Sequence, residues 1–198
     1  YLPLSGLLRK WRRFSRKIRK KEGQLLQQIS LPSVSWNQCT TKRVAKIWEH
    51  DKANGNIRIS ELSVINLIAT NCEDGTSLFE IGTFDGRTTL NLAFSSPASC
   101  KVYTLDLQPE MDTVFSLEKG ERHMVEKEKS GARIEKYKGS NNAITEKIHQ
   151  VFGDSAAFDF SKHYTSCSLV FVDGSHQYDY ALSDSKEAIK MVKKGGVI

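Results

Sequence analysis

Ser77-Leu-Phe-Glu-Ile-Gly-Thr-Phe-Asp-Gly-Arg-Thr-Thr-Leu-Asn-Leu-Ala93 is the stretch on which the fold turns. It opens as a short apolar run, Leu78, Phe79 and Ile81, with Glu80 near its end. A loop with glycines at 82 and 86 follows, and Thr88 to Phe94 continues as a helix-like segment. Strand, tight glycine loop and helix, in that order, form the opening unit of a doubly wound α/β domain. Glycine has no Cβ, so the backbone can turn sharply there and approach a ligand closely. The helix behind the loop is expected to point its first N–H groups at whatever the loop holds. The spacing is Gly82-x-x-x-Gly86 and not Gly-x-Gly-x-x-Gly, which counts against a dinucleotide pyrophosphate site.

Working outward, Lys101-Val-Tyr-Thr-Leu-Asp106 reads as a second strand ending in an acid. Asp106 lies roughly 20 residues past the loop, where a doubly wound site puts the carboxylate that takes ribose hydroxyls. A strand-ending Asp is also a common turn former, so the pairing with Glu80-x-Gly82-x-x-x-Gly86 carries the weight. Gln108 to Ser130 is charged and helix-prone, its charges facing water. Arg133-Ile-Glu-Lys-Tyr-Lys138 alternates as a third, edge-like strand, followed by Gly139-Ser-Asn-Asn142. Ala143 to Phe152 reads as a helix with His149 on its surface.

The second informative stretch is Ser166-Cys-Ser-Leu-Val-Phe-Val-Asp-Gly-Ser-His-Gln-Tyr-Asp-Tyr180. Leu169 to Val172 is a continuous apolar run, as in a central parallel strand buried on both faces. Asp173 and His176 stand at its carboxyl end, where open α/β sheets bind ligands. A carboxylate there is costly without a partner or a task. His176 reads either as a cap of the turn or as a general base. A helix from Tyr180 to Val192 follows, and Lys193 to Ile198 begins another strand.

Upstream, Ile59 to Ala69 is a helix that Ser60 can cap, with Leu62, Ile65, Leu67, Ile68 and Ala69 on its apolar face. Residues 30–58 are polar and punctuated, and read as a linker or cap over the site, with Trp36, Val44, Ile47 and Trp48 in one short helix. Residues 1–29 form a separate arm. Leu4, Leu7, Leu8, Trp11, Phe14 and Ile18 share one helical face, and nine Lys or Arg fill the rest between Arg9 and Lys21. Docking on the domain or on a second copy, contact with a membrane surface and contact with RNA are its three readings, nucleic acid being the least favoured. Subtracting those nine from the 29 basic residues leaves 20 against 23 acidic ones, so the body is mildly acidic.

Four scattered cysteines, Cys39, Cys72, Cys100 and Cys167, make neither a zinc pattern nor a disulfide framework. They suit a reducing, cytoplasmic compartment. No apolar run approaches the roughly 20 residues of a membrane span.

Glu80-x-Gly82-x-x-x-Gly86, joined to Val172-Asp-Gly-Ser-His-Gln-Tyr178, Asp184 and Lys193-Lys-Gly-Gly-Val-Ile198, resembles the Rossmann-like S-adenosylmethionine (SAM)-dependent methyltransferases. The likeness is to their small-molecule and sugar O-methyltransferase branch, in which a strand ends in Asp-Gly-x-His. It covers residues 60–198 and implies a mainly parallel, doubly wound sheet over 59–198, with helices on both faces and last strands beyond Ile198. By this resemblance Glu80, Gly82, Thr83, Phe84, Asp85, Gly86 and Thr88 line the methionine end of the cofactor. Asp106 and Leu107 take the ribose, and Gly139, Ser140 and Asn141 flank the adenine. Asp173 and His176 face a hydroxyl-bearing acceptor, and in relatives that use a divalent metal such as Mg²⁺ the Asp at position 173 is a ligand. A nucleotide or NAD enzyme of the same fold, and a non-catalytic module tethered by the arm, are the competing readings.

Overall fold

The computed structural model describes residues 33–127 and 129–198. The basic arm expected over residues 4–21 lies outside them. Five strands form one all-parallel sheet: β1 (Ser77–Ile81), β2 (Lys101–Asp106), β3 (Ile148–Phe152), β4 (Cys167–Val172) and β5 (Val192–Val197). Their order is β3-β2-β1-β4-β5. The chain therefore winds outward from β1 through β2 to β3, then returns to lay β4 on the other side of β1. That reversal leaves a crevice at the carboxyl ends of β1 and β4, the place where such sheets bind ligands.

Alternation along the strands builds two cores. Leu78, Val102 and Leu169 pack with Ala69 of helix α1 (Ile59–Ala69) and with Leu92 and Ala93 of helix α2 (Arg87–Ser95). Phe79, Ile81, Leu105 and Val170 take the opposite face, against Phe160 and two residues near the end of a long helix, Ala188 and Met191. Leu78 and Phe79 are 0% exposed, so each contributes about 1.5–3 kcal/mol of burial. A strand buried on both faces has to be apolar at consecutive positions, which is why β1 and β4 are legible as runs.

Several local expectations are corrected. Arg58 stands at the N-cap of α1, its N–H donating to the Glu61 carboxylate at 2.7 Å, and Ser60 lies inside the helix. Between residues 36 and 48 the only helical element is a single 3-10 turn, Trp36–Gln38. Trp48 lies outside any helix, its N–H donating to Asn91 Oδ1 at 3.0 Å. Of the stretch 108–130, only α3 (Glu121–Lys127) is helical among the described residues.

The third strand is not 133–138, which forms helix α4 (Ala132–Tyr137). Gly131 starts that helix at φ 71°, its N–H donates to Phe84 O at 2.7 Å, and the Arg133 N–H donates to Asp85 O at 2.9 Å. These bonds to the glycine loop set α4 in place. A short helix α5 (Asn142–Thr145) follows, and β3 occupies the end of the expected 143–152 helix. His149 lies in β3, its ring stacked on Tyr103 at 5.0 Å. Helix α6 (Tyr178–Met191) begins earlier than expected because the Gln177 side chain caps it, accepting from the Asp179 and Tyr180 N–H groups.

Candidate active site

At the reversal point lies a cavity of about 620 Å³, a size suited to a cofactor together with a small acceptor. Glu80, Gly82, Thr83, Phe84, Thr88, Asp106, Leu107, Asp173 and His176 all line it. The loop after β1 forms one wall. Gly82 sits at φ 102°, and a Cβ there would stand 2.3 Å from Asp173 O, so only glycine lets β1 and β4 close together at this point. Phe84 adopts φ 49°, unusual for a bulky side chain. Its N–H donates to Asp106 Oδ2 at 3.0 Å and its carbonyl accepts from Gly131, so both neighbours hold it in that conformation.

Asp106 ends β2 with both oxygens engaged. Oδ1 accepts the Leu107 N–H at 3.1 Å, and Oδ2 accepts the Ser130 hydroxyl as well as the Phe84 N–H. Ser130 in turn accepts from Gln150 Nε2 at 2.9 Å. Burial pushes the Asp106 carboxyl up, and these donors pull it back. The carboxylate thus already holds a hydroxyl, the group a ribose would offer it.

Glu80 is 1% exposed and faces Thr89 and Thr104, whose hydroxyls both donate to its Oε2. Burial raises its pKa well above the usual carboxylate value, with the Thr89 bond the largest opposing effect.

Five expected cofactor residues stand elsewhere. Asp85 turns away from the cavity: Oδ1 accepts from Asn56 Nδ2 and the Arg87 N–H, each at 3.0 Å, and Oδ2 pairs with Arg133 Nε at 2.8 Å. It covers the N-terminus of α2, so that end of the helix is not free for an anion as the sequence suggested. Gly86 caps α2 at φ 88°, and a Cβ there would meet Ile134 at 2.7 Å. Gly139, Ser140 and Asn141 connect α4 to α5 and are not part of the lining. Ser130, Phe152, Gly153, Asp154 and Ser155 line the cavity beside β2 and β3 instead. With 133–138 forming a helix, the crevice is bordered by the residues after β3 and by Ser130 before α4, and not by 139–141.

The side chains that the sequence did not single out come from distant segments. Gly55, Asn56 and Ile57 enter the lining from the 30–58 region, and Glu121, Met124 and Val125 from α3. Glu121 accepts from the Ser175 hydroxyl at 2.7 Å and from the His176 N–H at 2.6 Å. No short-range pattern marks these residues. Among the described residues no three His, Cys, Asp or Glu side chains converge to hold a metal. Asp173 stands without such partners among the described residues.

Two carboxyls at this end are pushed up to about 6. Asp173 is raised by burial, against the pull of His176 and with a further push from Glu61. Asp184, on α6, is 0% exposed, with no hydrogen bond of good geometry to either oxygen and the Ser155 hydroxyl the donor that acts on it. Burial raises it, Ser155 pulls the other way, and Asp154 adds to the rise.

A carboxyl with a raised folded pKa binds its proton more tightly in the folded chain than in the unfolded one. Its contribution to stability is complete below the ordinary value of 3.8 and is lost as pH rises through about 6. Asp184→Asn is therefore expected to leave stability at pH 4 nearly unchanged and to raise it at pH 8, by up to about 3 kcal/mol. Urea midpoints at the two pH values measure this. Equal destabilisation at both would mean that the Asp184 carboxylate is held by a partner and its charge is not a burden.

The model of a family described as a methyltransferase domain matches residues 79–198, more than half of the chain, and the chain belongs to that family. No curated protein matches it in sequence. Among solved structures it is similar to the O-methyltransferase TomG from Streptomyces achromogenes, involved in tomaymycin synthesis and solved in complex with SAM. Identity is 16%, coverage is 90% of this chain and 68% of that one, and the TM-score is 0.51. It is also similar to the methyltransferase PaMTH1 of Podospora anserina, solved bound to SAH, at 15% identity, 73% and 53% coverage and a TM-score of 0.50. The chain thus spans about half the length of the Podospora protein. At these identities the likeness is one of fold, and the five-stranded Rossmann-like sheet agrees with it.

Proposed function

We propose that this domain binds SAM in the cavity at the reversal point and directs its methyl group to an oxygen of a small-molecule acceptor, such as a sugar or glycoside. The observation that carries the reading is the lining itself. Asp106 stands on the β2 side as a carboxylate already holding a hydroxyl, and Asp173 and His176 stand on the β4 side. Five acids, Asp106, Glu121, Glu126, Asp154 and Asp173, face one lysine, Lys129, while burial favours the neutral form of Glu80. That field suits a cationic sulfonium and repels a pyrophosphate, and the covered α2 N-terminus removes the usual phosphate site. The NAD alternative is the weaker for both reasons.

SAM, when bound, supplies a methyl carbon already activated by its sulfonium. The protein has to hold an acceptor oxygen in line with that carbon and take the hydroxyl proton as the new C–O bond forms. Asp106 would anchor the ribose, and the Gly82–Phe84 wall would bound the methionine end. His176 is the proton acceptor in this reading: with Nδ1–H donating to Gly174 O at 3.2 Å, Nε2 keeps a free lone pair. Asp173, three residues earlier at the end of β4, places a carboxyl at the same edge of the cavity. The acidic lining favours neutral or cationic acceptors over phosphorylated ones. The nine cations between Arg9 and Lys21 would hold the protein to an anionic membrane surface in the cytoplasm.

Calorimetric titration of S-adenosylhomocysteine (SAH) into the chain tests the cofactor class; absence of heat at millimolar ligand would end the methyltransferase reading. His176→Gln should keep SAH affinity within about 2-fold. Turnover with a hydroxylated acceptor found by screening should fall about 100-fold. Unchanged turnover would remove the base role.

A further inference from the structure

Glu121 opens α3, 55 residues from His176 in sequence. Its Oε2 accepts from the Ser175 hydroxyl at 2.7 Å and from the Glu118 N–H at 2.8 Å. Its Oε1 accepts the His176 N–H at 2.6 Å and lies 3.7 Å from His176 Nδ1. One carboxylate from a distant helix therefore touches the turn after Asp173 at three points. The His176 side chain is 79% exposed, whereas that of Glu121 is 22% exposed. Packing does not hold the imidazole, so polar contacts have to.

Within the turn, support is only partial. The Gln177 N–H donates to Ser175 Oγ at 3.2 Å, and the Gln177 side chain is committed to capping α6. The ring of His176 meets Gly174 O through Nδ1. A carboxylate suits the remaining task, because it accepts several bonds at once, and bonds to a charged acceptor are shorter and stronger than neutral ones.

We propose that Glu121 is a positioning residue of the site. Its carboxylate fixes the Ser175–His176 backbone and keeps Nδ1 turned toward the protein, leaving Nε2 toward the cavity. The proposal rests on the methyl-transfer reading, in which Nε2 takes the acceptor proton. It also gives α3 a function: the charged stretch 108–130 brings one of its acids back over the sheet to complete a site whose other parts lie on β1, β2 and β4.

The test uses the full chain labelled with ¹⁵N-histidine, at pH 8, where an ordinary imidazole is neutral. Loss of signals in His176→Gln assigns the residue. In the wild type the two ring nitrogens of His176 are expected at the separate shifts of a single Nδ1–H tautomer. Glu121→Ala and the shorter Glu121→Asp should move both nitrogens toward the averaged values of a free imidazole. Glu121→Gln, which keeps an acceptor oxygen in place, should restore most of the separation.

Unmoved His176 nitrogens in both Glu121→Ala and Glu121→Asp would overturn the proposal while leaving the methyltransferase reading intact. Failure of the wild-type chain to bind SAH would overturn both. Averaged nitrogens in the wild type itself would also overturn it, because there would be no fixed orientation to maintain.

Discussion

Arg87→Ala is expected to cost about 3–5 kcal/mol of stability, the range for removing one partner from a buried charged network. Arg87 is 0% exposed, although its type is normally found at the surface. Its Nη1 donates to Ile57 O at 3.0 Å and its Nη2 to His50 O at 3.1 Å, so one guanidinium ties two points of the 46–58 segment to the start of α2. Burial lowers its pKa and Arg133 lowers it further, with Asp85, Glu49 and Asp51 opposing. Arg133 completes the cluster through Glu49 Oε1 at 3.1 Å and Asp85 Oδ2 at 2.8 Å.

Truncation would leave two carbonyls without donors, open a cavity and unbalance the acids. These two hydrogen bonds from a charged, buried donor are worth about 1.5–3 kcal/mol each, less where water reaches the exposed His50 carbonyl. A domain of this size should lose on the order of 10 °C in melting temperature. Arg87→Lys should recover only part, because a single ammonium lacks the fork that spans both carbonyls. Urea unfolding of both variants decides the matter; a loss below about 1 kcal/mol for Arg87→Ala would show that the 46–58 segment is not anchored here. Because Gly55, Asn56 and Ile57 belong to the cavity lining, SAH affinity should fall with the anchor even where the fold survives.

The second large effect is expected at Asp106. A ribose would present two adjacent hydroxyls to this carboxylate, and hydrogen bonds to a charged group are worth about 1.5–3 kcal/mol each. Asp106→Ala should therefore weaken SAH binding by at least about 100-fold. The carboxylate also holds the Phe84 N–H and the Ser130 hydroxyl, so alanine could loosen the glycine loop as well. Asp106→Asn separates the two contributions: it keeps the shape and one acceptor oxygen, and should cost about 10-fold in affinity with little change in melting temperature. Wild-type affinity in both variants would remove Asp106 from the cofactor site. Loss of affinity together with collapse of stability in both would assign it to the loop instead.

Much of this protein was legible because burial on two faces leaves an unambiguous mark. Leu169-Val-Phe-Val172 is a consecutive apolar run, and Leu78-Phe-Glu-Ile81 one broken only by Glu80, because both sides of the central strands are covered. Gly82 had to be glycine because the backbone of Asp173 sits where its Cβ would be. Those constraints are local, and they carry Glu80, Asp106, Asp173 and His176 to the crevice with no knowledge of the partners.

The edge of the sheet is different. Arg133-Ile-Glu-Lys-Tyr-Lys138 alternates as a strand would, yet forms a helix, since Gly131 and Arg133 bond the glycine loop and Ile134 fills the space beside Gly86. Ile148-His-Gln-Val-Phe152 becomes β3 by pairing with Val102–Asp106, a contact across more than 40 residues that no periodicity announces. A strand at 133–138 would put the adenine side at Gly139, Ser140 and Asn141, whereas the cavity is bordered by Ser130 and by Phe152 and the residues after it.

By itself the sequence determined the central strands, the glycine loop, the acids at the strand ends and the methyltransferase family, because each depends on a few neighbouring residues obeying steric and burial rules. Only the tertiary structure decided which acids are engaged, turning Asp85 into the cap of α2, burying Arg87 and bringing Glu121 to His176. The Arg87 and Glu121 contacts join segments 30 and 55 residues apart, and Asp85 is drawn from the cavity by Arg133, 48 residues away. Their energies depend on which polar groups are left without water, and that is settled only when the chain has closed around them.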